Sequence, residues 1–169
     1  MKDFKFKLLS FKYRERKDPI CGFLIDFNEN WTLIKNNPVD YIIDGYSLLK
    51  TNRILKYKRD EFEVFREKVL IAKGLKPLAK DKIPLNDIYK TLQLVSDKYG
   101  AFKIELKDDT ICYIGRLVKI GKGQIIIQEI DPKANWVEDE RFKLNSIRII
   151  DFDTDYNNSL ILYNKMSEK

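Results

Sequence analysis

The side chains that most often carry catalysis are thin in this chain. Its 169 residues contain no histidine. That removes Ser-His-Asp and Cys-His nucleophiles, histidine-ligated metals and the usual general base near neutral pH. The two cysteines, Cys21 and Cys112, are too few for a zinc site. They read instead as small buried residues in a reducing, cytoplasmic setting. Asp131, Glu138-Asp139-Glu140 and the alternating Asp151, Asp153 and Asp155 are the acidic candidates. Alternate aspartates project from one face of a strand and suit a divalent cation, but no EF-hand spacing is present and a solvated strand end is expected. Gly121-Lys122-Gly123 lacks the spacing and the Ser/Thr of a phosphate loop and reads as a hairpin turn. No catalytic residue, metal ligand or cofactor is assigned, and the chain is expected not to be an enzyme.

Binding is the remaining chemistry. The formal net charge is +6, and the basic excess lies in residues 1–84. The run Lys12-Tyr13-Arg14-Glu15-Arg16-Lys17 follows Phe6 and Phe11. Such a segment suits a phosphate backbone with stacked bases, or else a solvated turn, since Asp18-Pro19 follows. Arg14, Arg16, Lys17, Thr32, Lys50 and Arg53 are the nucleic-acid candidates. Trp31, at a hairpin start, reads as core, whereas Trp136 sits among small and acidic residues as a surface anchor. Tyr41, Tyr46 and Trp136 are the candidates for contact with a protein.

These side chains need elements to hold them, and the chain supplies a repeat. A shift of 93 residues aligns Gly22 with Gly115, Leu24 with Leu117, Ile34 with Ile127, Lys50 with Lys143, Asn52 with Asn145 and Ile54 with Ile147. Each copy reads as five short antiparallel strands with a glycine bend, the grammar of a small curved barrel. The helical spacing of Phe62, Phe65, Val69 and Leu70 predicts one helix over 60–72, and Ile88, Leu92 and Val95 share one face of another over 85–99 ending at Gly100. The stretch 75–84, with two prolines, reads as a linker, and 156–166 as either strand or helix. Hydrophobic residues at 44% suffice for packed cores. No apolar run suggests a membrane span and no signal peptide is expected.

At Gly22-x-Leu24-x-x-Phe27-Asn28-x-x-Trp31-Thr32-Leu33-Ile34 the chain resembles the first signature of the Sm-like family. Leu49-Lys50-Thr51-Asn52-Arg53-Ile54 resembles the second. Gly115-x-Leu117-x-x-Ile120-Gly121 and Phe142-Lys143-Leu144-Asn145-Ser146-Ile147 are similar in the second copy. The resemblance implies two tandem Sm-like, SH3-like five-stranded barrels joined by two helices, in a mainly β (α+β) protein of a bacterial tandem type. The implied domains are a first barrel over 1–58, a helix and Pro/Lys linker over 59–84, and a second barrel over 85–169. Thr32 and Ile125 stand where the family places its base-contacting asparagine, and Lys50-Thr51 and Lys143-Leu144 where it places Arg-Gly. The expected function is therefore non-catalytic binding of a protein partner through barrel loops and strand edges, as an inhibitor or immunity-type protein does. The alternative is RNA or single-stranded DNA on the basic N-terminal half.

Overall fold

The computed structural model describes residues 1–14, 16–77, 82–108 and 110–167. Glu15 of the basic run and residues 78–81 of the expected linker lie outside the described residues. The protein is mainly β, with antiparallel strands and three α-helices among the described residues. It forms two compact units, Met1–Leu85 and Asn86–Lys169. No helix among the described residues is long and apolar enough to cross a membrane.

The first unit holds β1 (Leu8–Tyr13), β2 (Ile20–Phe27), β3 (Trp31–Asn36), β4 (Tyr46–Lys50) and β5 (Ile54–Lys58). Within it the strand order is β5-β1-β2-β3-β4, and β4 does not pair with β5, so the unit's hydrogen bonding does not close on itself. Leu8, Leu9, Phe11, Phe23, Leu24, Leu33, Ile34, Leu48 and Leu49 are buried in it. Asn28 makes the β2–β3 turn. Its side-chain oxygen accepts from the backbone N–H groups of Asn30 and Trp31 at 2.9 and 2.8 Å, and its amide donates to the Leu85 carbonyl.

Helix α1 (Glu61–Ala72) then packs against β1. Asp60 caps it by accepting from the Phe62 N–H at 3.0 Å, while Glu63 accepts from the Asp60 N–H at 3.0 Å. The buried residues of this helix are Glu63, Glu67 and Leu70. Of the apolar residues at helical spacing, Leu70 is buried while Phe62 and Phe65 are 56% and 52% exposed. The physical reason is that β1 presents polar groups to the helix. Ser10 Oγ donates to Glu63 at 2.5 Å and the Leu8 N–H to Glu67 at 2.7 Å. Arg59 closes a two-pronged pair on Glu67 at 2.8 and 3.1 Å. Carboxylates satisfy this N–H and this hydroxyl where a phenyl ring would leave them orphaned.

The second unit opens with α2 (Ile88–Tyr99) and continues with β6 (Phe102–Glu105), β7 (Cys112–Gly121), β8 (Gln124–Ile130), β9 (Trp136–Lys143), β10 (Ile149–Phe152) and α3 (Asp155–Ser167). Asp87 caps α2 from inside the 85–99 span read from sequence, so the helix starts at Ile88, and Gly100 ends it with φ +79°. The 156–166 segment is helical, and Leu160 and Ile161 of α3 pack with Ala101, Ile114, Ile130 and Ala134.

The strand order here is β10-β6-β7-β8-β9, the order of the first unit. Every register repeats at the 93-residue offset. Leu9 faces Gly22 as Phe102 faces Gly115, and Trp31 faces Lys50 as Gln124 faces Lys143. Phe11 faces Tyr57 as Ile104 faces Ile150. Even the bulge recurs, between Leu24 and Asp26 and between Leu117 and Lys119. The repeated glycines have one cause. A Cβ on Gly22 would stand 2.6 Å from the Lys35 carbonyl oxygen, and one on Gly115 would strike the carbonyl of Gln128, which lies 93 residues on.

Candidate functional site

The outer face of α1 carries Phe62, Phe65, Val69 and Ala72 at i, i+3, i+7 and i+10, one stripe of a helix. Beside it lies the β3–β4 loop, folded around buried Asn37. The Asn37 amide donates to the carbonyls of Asp40 and Ile42 at 2.9 and 2.7 Å, and its oxygen accepts from Arg66 at 3.0 Å. Lys73 reaches back to the Tyr41 carbonyl at 2.9 Å. The Tyr41 ring meets Phe65 edge-on, with centroids 6.3 Å apart. Val39 and Ile42 of the same loop are more than half exposed. The result is an apolar surface of Phe62, Phe65, Tyr41, Ile42 and Val39, held by hydrogen bonds from Asn37, Arg66 and Lys73. Arg66 also lies 4.4 Å above the Phe62 ring.

The other aromatic candidates are placed differently. Tyr46 is buried on β4 at 3% exposure, so its assignment as a contact is corrected: its ring belongs to the core. Trp136 is half-buried rather than an open anchor. Its indole N–H donates to Asn164 at 3.0 Å and the Arg116 guanidinium stacks on it at 4.2 Å. These residues line a recess of about 330 Å³ with Ser96, Asp97 and Lys165.

The basic candidates are partly brought together. The Arg14 N–H donates to the Arg53 carbonyl at 2.9 Å, joining the β1–β2 loop to the β4–β5 turn. Lys12 curls that loop by donating to the carbonyls of Arg16 and Lys17 at 3.2 and 2.9 Å. Arg14 and Lys17 are exposed, while Lys50 lies 4.4 Å over the Trp31 ring. Thr32 drops out as a base contact. It is fully buried, and Thr51 Oγ donates to the Asn28 carbonyl, so the 3.0 Å bond between the two hydroxyls uses the Thr32 proton.

Cys21 is half-buried 3.2 Å from Ser10 Oγ, and Cys112 is exposed, which corrects the reading of two buried thiols. Glu105, Lys103 and Asp151 form a row across β6 and β10, with Lys103 2.8 and 2.7 Å from the two carboxylates. Burial alone pulls the Lys103 pKa down, but Asp151 and Glu105 overcome this and hold it well above its ordinary value. Asp151 is thus an internal ion-pair partner. Among the described residues no group of His, Cys, Asp or Glu is placed to hold a metal. Hydrogen bonds within the Asp131 turn, chiefly with Asn135, lower the Asp131 pKa.

These features define a class: a mainly β protein of two antiparallel units in one repeated register. Set against known proteins, the chain matches no family model, no curated protein and no solved structure.

Proposed function

We propose that this is a non-catalytic protein-interaction module built on two tandem, partly open Sm-like barrels, with the α1 and β3–β4 loop surface as its docking face. One observation carries the reading: α1 turns Glu63 and Glu67 inward and its phenylalanines outward. An exposed contiguous aromatic patch on a surface rich in charge is costly unless something covers it. Each phenylalanine fully covered by a partner contributes about 1.5–3 kcal/mol. An inhibitor or immunity-type role fits a small module of this kind. The test is affinity capture with the wild type and with Phe62→Ser/Phe65→Ser, each checked for folding by circular dichroism. A partner retained by the wild type and lost by the folded double variant is the expected result. Equal retention by both removes the α1 face from the assignment.

The bond between Arg14 and Arg53 favours a second reading, in which the loop end of the first unit holds single-stranded RNA or DNA. Arg14→Ala/Lys17→Ala is then expected to weaken binding to a labelled mixed-sequence RNA several-fold and to flatten its salt dependence. Unchanged anisotropy titrations would end this reading.

A further inference from the structure

The recess beside Trp136 carries charges that the second unit does not spend on itself. Its volume of about 330 Å³ stands at the small end of the roughly 300–1,000 Å³ usual for small-molecule sites. Asp97, Arg116 and Lys165 all line it, yet none of the three makes an ion pair among the described residues. Its walls are fixed in advance. Arg116 Nε and Nη2 donate to Gln128 Oε1 at 3.0 and 2.7 Å, and the guanidinium lies 4.2 Å over the Trp136 ring. Asn164 holds the ring in turn, accepting from the indole N–H and donating to the Ala134 carbonyl, both at 3.0 Å. The guanidinium is thereby clamped, with its Nη1 N–H groups left to donate elsewhere. Ser96 is 8% exposed, and its Oγ accepts from the Leu117 N–H at 2.8 Å, which leaves the hydroxyl proton to donate. Asp97 Oδ1 accepts from Gln93 at 2.8 Å, which leaves Oδ2 to accept.

The repeat shows that this arrangement belongs to the second copy alone. The facing pair Arg116 and Gln128 corresponds, at the 93-residue offset, to Phe23 and Lys35, and Phe23 is fully buried. The second copy carries a clamped cation where the first carries a core ring. We propose that the recess binds a free α-amino acid with an apolar side chain. Arg116, Lys165 and the Ser96 hydroxyl are donors and take its carboxylate, while Asp97 accepts from its ammonium group. Leu117 and Ile161 give the side chain an apolar wall. The mixed charge selects the ligand. A plain oxyanion would face Asp97, and a plain amine would face Arg116 and Lys165, so only a zwitterion satisfies both signs. Rigid walls favour such a small ligand, because little ordering is left to be done on binding.

This site shares no residue with the α1 surface, so the two readings stand or fall separately. The experiment is isothermal titration calorimetry of the full chain with L-leucine. Two fragments of the same probe, leucinamide without the carboxylate and 4-methylpentanoate without the amine, are titrated beside it. Saturable binding of L-leucine is expected, with each fragment about tenfold weaker or more, since each loses a charged partner. Asp97→Asn and Lys165→Ala change exposed side chains, and circular dichroism confirms that both variants are folded. Asp97→Asn is expected to weaken L-leucine several-fold without weakening 4-methylpentanoate. Lys165→Ala is expected to weaken both. No saturable heat from L-leucine up to about 10 mM overturns the proposal. So do fragments or inorganic phosphate that bind as tightly as L-leucine, and binding that neither variant alters.

Discussion

At the scale of single residues, the repeat is enforced by two hydrogen atoms. Gly22 and Gly115 hold places where a methyl group would press on the carbonyl of the neighbouring strand, at Lys35 and at Gln128. Backbone cannot retreat as a flexible side chain can, so overpacking there costs about 1–3 kcal/mol. Gly22→Ala and Gly115→Ala are both expected to lower the unfolding free energy by that amount, read from a lower denaturant midpoint, and a midpoint unchanged in either shows that the strand pair gives way. The same scale separates the candidate contacts. Thr32 looked like a donor by type, yet its proton is committed to Thr51. Lys103 and Asp151 differ from surface charges because each is enclosed with its partner, where removing one member strands the other.

At the scale of elements, α1 is the part whose function and stability are carried by different faces. Its inward face contributes Leu70 and two hydrogen-bonded carboxylates, and its outward face contributes the phenylalanines. Leu70→Ala is therefore expected to cost about 2–5 kcal/mol, as a buried leucine does. Phe65→Ser, at a half-exposed site, is expected to shift stability far less, with thermal unfolding of the two variants as the measurement. Comparable losses would mean that Phe65 is a core residue after all. The capping box at Asp60 and Glu63 announces where the helix starts, but it leaves open which face is covered.

At the scale of the whole molecule, the two units share strand order and register while differing in charge and in their helices. The first carries the basic β5 edge and α1, and the second carries the acidic β9 edge, α2 and α3. A duplicated scaffold thus presents two chemically opposed strands, exposed lysines on β5 and exposed carboxylates on β9.

Much of the strand layout was legible because it rests on short-range rules. Glycine at 22 and 115, the Asn28 and Lys122-Gly123 turns and alternating apolar residues specify strands and hairpins locally. The 93-residue offset aligned two copies of one strand pattern, and the strand registers repeat at that same offset. The faces of α1, the burial of Tyr46 and the exposure of Cys112 were not legible. Those depend on what lies across from each residue, and period alone does not record it. A phenylalanine at helical spacing signals core only if the facing strand is apolar. Here the facing strand offered the Leu8 N–H and the Ser10 hydroxyl, and the glutamates took the inside.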